Sequence, residues 1–152
     1  MPRILLAVLC LCGSLFTAPA ARADDAATPI GSWLRADGKS VFTIEYCSTG
    51  LCGRITGMSF GHPTDPQPLN WQGQPMCNEL IISVAPEYGM RNKWHGSITN
   101  PINGNVWRAT LTLVDGALKL RGYFGIPLLG QTETWTRYNS QIGPGCHIIG
   151  AG

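Results

Sequence analysis

The sequence predicts an all-β domain, folded as a single antiparallel up-and-down barrel of about eight strands. Nineteen Gly and 11 Pro are spread along the 152 residues, and such frequent turn-forming residues oppose long helices. From Ile30 onward, short segments that alternate between apolar and polar residues follow one another, with turn signals between them. Every connection except one proline-rich loop is short enough to join antiparallel neighbours. Such a sheet gains by closing, because closure removes both exposed edges.

The strands begin with residues 31–34, which contain Trp33 and lead into the tight turn Asp37-Gly38. Residues 41–47 alternate strictly, which predicts a half-buried strand. A loop over residues 61–75 holds four prolines and is expected to be irregular. The remaining predicted strands are 53–60, 80–84, 93–99, 106–113, 118–124 and 131–138, with a hairpin signal at Asp115-Gly116.

Two neighbouring strands separate an apolar face from a polar one, and we expect the apolar face to line the barrel. The apolar face consists of Trp107, Ala109, Leu111 and Leu113 on one strand and Leu118, Leu120, Gly122 and Phe124 on its partner. In the last strand, Glu133, Trp135 and Arg137 share one face, and threonines occupy the other. Either the threonines face outward and two charges point inward, or Trp135 is exposed.

Residues 1–23 have the features of a secretory signal peptide. Arg3 precedes an apolar stretch over residues 4–16, and Ala21-Arg22-Ala23 gives the small-x-small pattern of a cleavage site. The apolar stretch is shorter than the roughly 20 residues that span a bilayer. We therefore expect a signal peptide cleaved near Ala23, a barrel domain over residues 24–138 and a tail over residues 139–152. The predicted location is periplasmic or secreted, with no membrane span in the processed chain.

Four of the six cysteines lie after the predicted cleavage site: Cys47, Cys52, Cys77 and Cys146. An even number in an exported chain predicts two disulfides, for which three pairings exist. A turn-like insert separates Cys47 from Cys52, so we expect these two to pair and Cys77 to pair with Cys146. A metal site would need Cys-x-x-Cys or clustered His, and the sequence has neither, so no metal is predicted.

Charge and motifs exclude several classes of function. The formal charge of +2 belongs to residues 1–23, and the rest of the chain is balanced and has no basic run. This balance gives no electrostatic footprint for nucleic acid or for an anionic membrane, and no nucleic-acid partner is predicted. His62, His95 and His147 are scattered, and neither a nucleophile elbow nor a phosphate loop occurs. The sequence therefore leaves catalysis open, favours a non-enzymatic role and predicts no cofactor.

Short motifs occur along the chain in a fixed order. They are Gly31-Ser32-Trp33, Asp37-Gly38-Lys39-Ser40, Cys52-Gly53-Arg54-Ile55, Trp94-x-Gly96-x-Ile98, Asn100-Pro101-x-x-Gly104, Arg121-Gly122-Tyr123 and Thr134-Trp135-Thr136-Arg137. Together they resemble the bacterial exported family catalogued as domain of unknown function 2147, over residues 30–138. The resemblance implies a periplasmic or secreted, lipocalin-like (calycin-like) barrel with no established activity. The family usually has an acidic Asp-Pro-Glu-x-Gly turn where this chain has Asn100-Pro101-Ile102-Asn103-Gly104, so a cation site on that turn is not carried over.

The Gly-x-Trp motif and a late Arg are similar to the lipocalin pattern, in which an Arg near the chain end covers a first-strand Trp. The resemblance assigns these roles to Trp33 and Arg137 and implies that the pair closes one end of the barrel. In the alternative interpretation, Arg137 is an internal counter-ion for a ligand carboxylate, as in related fatty-acid-binding barrels. Glu133, on the same face, is a protein partner that favours the structural interpretation.

Two non-enzymatic functions remain open. In the first, the barrel holds a small apolar or amphipathic molecule, and the candidate binding residues are Trp94, Trp107, Leu111, Leu120, Trp135 and Arg137. In the second, the barrel is filled, and the domain is an envelope structural module or binds an unknown protein partner through its outer face and proline-rich loop, where Phe60 and Trp71 are candidate anchors. An enclosed void favours the first function. A filled interior with an exposed aromatic patch favours the second.

Overall fold

The computed structural model describes residues 28–62 and 64–149, and within them the chain forms a closed barrel of eight antiparallel strands. The strands are β1 (Gly31–Leu34), β2 (Ser40–Cys47), β3 (Gly50–Met58), β4 (Leu80–Pro86), β5 (Lys93–Thr99), β6 (Val106–Val114), β7 (Ala117–Tyr123) and β8 (Gln131–Arg137). Two short 3₁₀ helices are Pro127–Leu129 and Pro144–Cys146. Consecutive strands pair throughout, and β8 returns to pair with β1, which confirms the predicted up-and-down barrel.

The up-and-down order places the connections alternately at two ends of the barrel. One end, called the hairpin end, carries the connections 48–49, 87–92 and 115–116. The other, called the loop end, carries the connections 35–39, 59–79, 100–105 and 124–130. The predicted hairpin at Asp115 and Gly116 is present, and both residues have the positive φ (50° and 75°) that a two-residue hairpin turn requires.

Several predicted strand limits differ from the structure by one to three residues, and two of these differences matter for the assignment of residues. β3 begins at Gly50 instead of residue 53, because Cys52 pairs with Glu45 and the ladder continues to the turn. β7 ends at Tyr123, so Phe124, which we expected on the inner face, lies beyond the strand and is 78% exposed. Phe124 therefore belongs to the β7–β8 connection and not to the core.

Apolar side chains from all eight strands fill the barrel. The most completely buried of those that face inward are Trp33, Ile44, Leu51, Ile82, Val84, Leu111, Leu118 and Trp135. Phe42 stacks on Trp135, with ring centroids 4.6 Å apart and planes 16° apart. An offset aromatic pair of this kind stabilises a core by about 0.5–1.5 kcal/mol beyond the area it buries.

The C-terminal tail crosses the outer side of β2 and β3. Ile148 N donates to Met58 O at 2.9 Å, which fixes the tail beside the end of β3. A Cβ on Gly57 would lie 2.8 Å from both Val41 and Ile142, so only glycine permits this close approach. Val41 is fully buried although it points away from the barrel interior. We call the surface at Val41, Gly57 and Ile142 the covered face.

Both expected disulfides are present, Cys47–Cys52 within the β2–β3 hairpin and Cys77–Cys146 between the β3–β4 connection and the tail. Their Cα atoms are 5.8 Å and 5.6 Å apart. The second disulfide therefore holds the tail on the covered face. The predicted signal peptide and its cleavage site near Ala23 lie outside the described residues. Within residues 28–62 and 64–149, no helix is long and apolar enough to cross a bilayer.

Candidate functional site

The structure brings together some, but not all, of the residues expected to line a ligand site inside the barrel. Trp94, Leu111 and Leu120 are neighbours in one cross-strand row and are at most 9% exposed. Trp107, near the loop end of β6, is 42% exposed, whereas Arg137 is the last residue of β8, at the hairpin end. The buried members of the set are packed core residues, and Trp107 and Arg137 lie at opposite ends of the barrel.

Two charged side chains of β8 point inward, as in the first alternative for this strand. Trp135 is buried and donates its indole N–H to Glu133 Oε2 at 3.2 Å. Glu133 also accepts a hydrogen bond from Arg35 Nε at 2.9 Å, and the hydrogen bonds to Glu133 raise the pKa of Arg35. Glu133 thus forms an ion pair with Arg35.

Arg137, the second inward charge, covers Trp33 at the hairpin end. The guanidinium carbon lies 3.9 Å from the indole centroid, and the two residues are direct partners in the β1–β8 pairing. Arg137 donates hydrogen bonds to the backbone carbonyls of Thr28 and Ile30. Its hydrogen bonds therefore serve to tie the segment before β1 to the end of β8.

Two concavities formed by the described residues lie on the outer surface. One is a cleft of about 310 Å³ across the outer side of β5, β6, β7 and β8. Its lining residues are Lys93, His95, Thr110, Thr112, Lys119, Arg121, Pro127 and Thr132, and we call it the outer cleft.

Strand register builds the outer cleft from two cross-strand rows. The first row is Lys93, Thr112 and Lys119, and the second is His95, Thr110, Arg121 and Thr132. The 3₁₀ helix at Pro127 forms one wall, because Arg121 Nε donates to the Pro127 carbonyl at 2.8 Å. Side chains that are far apart in sequence therefore converge at one place.

His95 is held through both ring nitrogens at one side of the outer cleft. Nε2 lies 2.7 Å from Glu87 Oε2, and Nδ1 lies 3.0 Å from Thr110 Oγ1. Hydrogen bonds from Lys93 and then from His95 lower the pKa of Glu87. Acyl-transfer enzymes use the same order of carboxylate, imidazole and hydroxyl. Thr110, however, is only 8% exposed, so its hydroxyl is poorly placed to attack a substrate. The two contacts instead hold the imidazole ring of His95 in one orientation.

Two cations of the outer cleft, Lys119 and Arg121, have no carboxylate partner in the part of the chain that the structure describes. Arg121 donates to Thr132 Oγ1 and to the carbonyls of Pro127 and Leu128, which are all neutral acceptors. These hydrogen bonds fix the guanidinium without neutralising it. Lys93 differs, because its Nζ lies 3.0 Å from Glu87 Oε2.

An apolar loop borders the outer cleft at the loop end. We define it as residues 124–130, Phe-Gly-Ile-Pro-Leu-Leu-Gly, a segment without a charged residue. Its four large apolar side chains, Phe124, Ile126, Leu128 and Leu129, are exposed by 78%, 55%, 82% and 75%. A second concavity of about 330 Å³ lies beside the apolar loop and is lined by Val106, Arg108, Tyr123, Phe124 and Gly125.

The two candidate anchors of the proline-rich loop differ. Trp71 is 53% exposed and lies against Gly104 of the β5–β6 connection. Phe60 is only half-buried against the core and meets the His147 ring edge-on, with centroids 5.0 Å apart. Phe60 therefore packs within the protein, and Trp71 remains accessible.

Sequence reasoning missed the outer cleft as a site. Alternation does place Thr110, Lys119 and Arg121 on outward faces, but no short segment contains two of the basic residues together with the histidine. His95 stands alone in sequence and gains its partners only through pairing between strands. The missing information is the register, which sets which outward residues lie opposite one another.

Within the described residues, no group of three or more His, Cys, Asp or Glu side chains is placed to hold a metal ion.

A family model described as "Uncharacterized protein conserved in bacteria (DUF2147)" matches residues 31–137. No curated protein and no solved structure matches the chain. The match covers every strand of the barrel, from β1 to β8.

Proposed function

This chain belongs to DUF2147, a family of uncharacterised bacterial proteins, and we propose that it is a binding protein for an oxyanion such as phosphate. The observation that carries the proposal is the outer cleft, where three cations and three threonines surround a volume of about 310 Å³. Lys119 and Arg121 supply the positive charge, and Lys93, which is paired with Glu87, adds a third cationic donor. The hydroxyls of Thr112 and Thr132 supply neutral donors that match the remaining oxygens of a tetrahedral anion.

The chemistry of the cations suits an oxyanion better than a neutral ligand. Hydrogen bonds from lysine and arginine to phosphate oxygens are charge-assisted and are about twice as strong as neutral ones. Arg121 is already fixed by its neutral acceptors, so little side-chain entropy is lost when an anion binds. Bringing Lys119 and Arg121 close together without counter-charge is unfavourable in the free protein, and a bound anion removes that repulsion.

The packing of the barrel supports one of the two functions that the sequence left open. Trp33, Trp135 and Leu111 are at most 1% exposed, and Phe42 stacks on Trp135 where a deep ligand would lie. This packing favours a binding module with a filled barrel over a carrier that encloses a small apolar molecule. The proposed binding surface is accordingly the outer cleft.

We also propose that the protein acts outside the cytoplasm, in the periplasm or as a secreted protein. Two disulfides support this location, because disulfides persist in oxidising compartments. The signal-peptide features of residues 1–23 agree with it.

Calorimetric titration with inorganic phosphate at constant ionic strength tests the proposed function. We expect one site per chain, and Lys119→Gln is expected to raise the Kd about tenfold, the effect of losing one charged hydrogen bond. Arg121→Lys keeps the charge but loses the planar fork, so we expect a smaller increase in Kd.

Lys39→Gln is the matched control, because it makes the same charge change on an exposed lysine of the β1–β2 connection. Its Kd for phosphate is expected to equal that of the unaltered protein. Equal weakening by Lys39→Gln and Lys119→Gln would show that net charge attracts phosphate and that no site exists. Absence of phosphate binding to the unaltered protein would reject the proposed function outright.

A further inference from the structure

The apolar loop presents a fixed apolar tip to solvent. Phe124, Leu128 and Leu129 are each more than 70% exposed. Leu129 N donates to Ile126 O at 3.2 Å, and Arg121 holds the Pro127 carbonyl, so the loop is ordered by its own hydrogen bonds. Contiguous exposed apolar side chains of this size mark a surface that meets another apolar phase.

Cations stand on both sides of the apolar loop. Arg121 and Lys119 of the outer cleft lie on one side. Arg108 lies on the other, in the second concavity, where it lines the same space as Phe124 and Tyr123. No salt bridge of the described residues involves any of these three cations. Positive charge therefore flanks an uncharged apolar tip, a local arrangement on paired strands that the absence of a basic run in the sequence did not predict.

This order of groups is complementary to the surface of a bilayer that contains anionic lipids. Such a surface offers acyl chains to apolar side chains and, a few ångströms further out, phosphate groups to lysine and arginine. A protein partner would need matching carboxylates on both sides of one apolar pocket.

We infer that the protein docks on anionic bilayers by inserting the apolar loop, with a lipid phosphate group held in the outer cleft. The inference rests on the proposed function, since it names lipid as the source of the phosphate. Insertion would bury Phe124, Leu128 and Leu129 among acyl chains. Arg108 would meet a second headgroup on the far side of the loop.

Amide hydrogen exchange of the full chain, followed by mass spectrometry, tests the inference. Vesicles of equal parts phosphatidylcholine and phosphatidylglycerol are expected to slow exchange in residues 124–130, and vesicles of phosphatidylcholine alone to slow it much less. The connection 48–49, at the hairpin end, should exchange equally with and without vesicles. Because each segment is read separately, the apolar stretch 4–16 cannot produce the expected signal.

A neutral double variant, Phe124→Gln with Leu129→Gln, keeps the charge of the region and removes two exposed apolar side chains of the loop, neither of which lines the outer cleft. We expect it to lose the vesicle-dependent protection while its Kd for inorganic phosphate stays unchanged. Tyr88→Gln is the matched control, because Tyr88 is a fully exposed aromatic residue of the β4–β5 connection, at the hairpin end. Tyr88→Gln should show the same vesicle-dependent protection of residues 124–130 and the same Kd for inorganic phosphate as the unaltered protein.

The outcomes separate the two proposals. If inorganic phosphate binds but vesicles leave exchange of residues 124–130 unchanged, docking is overturned and the proposed function stands. If vesicles protect the apolar loop and phosphate does not bind, the proposed function fails and the pairing of cleft and loop is overturned with it. Protection that depends on protein concentration without vesicles identifies a second copy as the occupant and also overturns membrane docking.

Discussion

Two outer faces of the barrel differ in whether other parts of the chain cover them. The covered face lies beneath the tail, where Val41 is fully buried and Ile142 packs over Gly57. Among residues 28–62 and 64–149, nothing covers the outer cleft on β5 to β8, and its Lys119 and Arg121 have no ion-pair partner. On the first face the chain's own tail covers the side chains, whereas on the second the two cations face solvent.

Hydroxyl groups show the same difference. Beside the covered face, Thr43 Oγ1 lies 2.9 Å from Ser32 Oγ and 2.8 Å from Thr56 Oγ1, so the three hydroxyls bond one another across β1, β2 and β3. In the outer cleft, Thr132 and Thr110 are tied to Arg121 and His95, which are themselves polar groups of the site. In the first arrangement the hydroxyl groups satisfy one another. In the second, the hydroxyl groups and their partners line the open space of the outer cleft.

Uncompensated polar groups cost stability, so a protein keeps them mainly where a function needs them. We therefore expect changes near the covered face to alter the free energy of unfolding with little effect on phosphate binding. Changes in the outer cleft should do the reverse. Three sets of variants test this separation.

The largest expected effect comes from releasing the tail. Replacing Cys77 and Cys146 by Ser opens a disulfide with a sequence separation of 69, and the free energy of unfolding should fall by about 4 kcal/mol. Chemical denaturation measures this loss. Phosphate affinity, measured where the variant is still folded, should stay the same.

The short disulfide supplies the comparison. Replacing Cys47 and Cys52 by Ser opens a separation of only 5, and the expected loss is about 2 kcal/mol. If the two double variants lose equal stability, the tail does not stabilise the barrel in the way described. Loss of phosphate binding in the folded Cys77→Ser, Cys146→Ser protein would show that the two faces are coupled.

A somewhat smaller effect on the free energy of unfolding is expected where β1 pairs with β8, the contact between the first and last strands that closes the barrel. Trp33→Ala and Arg137→Ala should each reduce the free energy of unfolding by about 2–4 kcal/mol, because each removes packing as well as the contact of guanidinium with ring. The two losses should not add, since the side chains touch.

A double-variant cycle in denaturant decides the point. Strictly additive losses would contradict the structural pair. Unaltered stability of Arg137→Ala together with lost binding of a fatty acid would instead identify Arg137 as a ligand counter-ion.

The sequence predicted the inward-facing core positions and the disulfides, but it did not predict the outer cleft. Alternation in β6 and β7 identified the inward positions of Leu111 and Leu120, because inside and outside differ in polarity. The disulfide Cys77–Cys146 followed from elimination after the short pair. The outer cleft depends on which of many outward residues face each other. Lys119 and Arg121 share one face of β7, but Lys93 and His95 join them only when β5, β6 and β7 pair in register. Phe124 was misplaced because a strand end is set by the turn beyond it.

The smallest expected effect concerns Glu87, which neutralises Lys93 at the edge of the outer cleft. Glu87→Gln removes that negative charge, so the protein should bind inorganic sulfate a few-fold more tightly at neutral pH. Sulfate is the better probe here, because its own charge is constant over the range tested. The amide oxygen of the substituted side chain would still accept a hydrogen bond, so the free energy of unfolding should change little.

The pH dependence of this difference has a definite sign. Hydrogen bonds from Lys93 and His95 lower the pKa of Glu87 in the folded protein, so its stabilising contribution is present above the ordinary glutamate pKa and is lost as pH falls through the lowered value. Over the same range the carboxylate takes up a proton, and the sulfate affinity of the unaltered protein should rise toward that of Glu87→Gln. A difference in sulfate affinity that persists at the acid end would show that Glu87 acts by shaping the outer cleft and not through its charge.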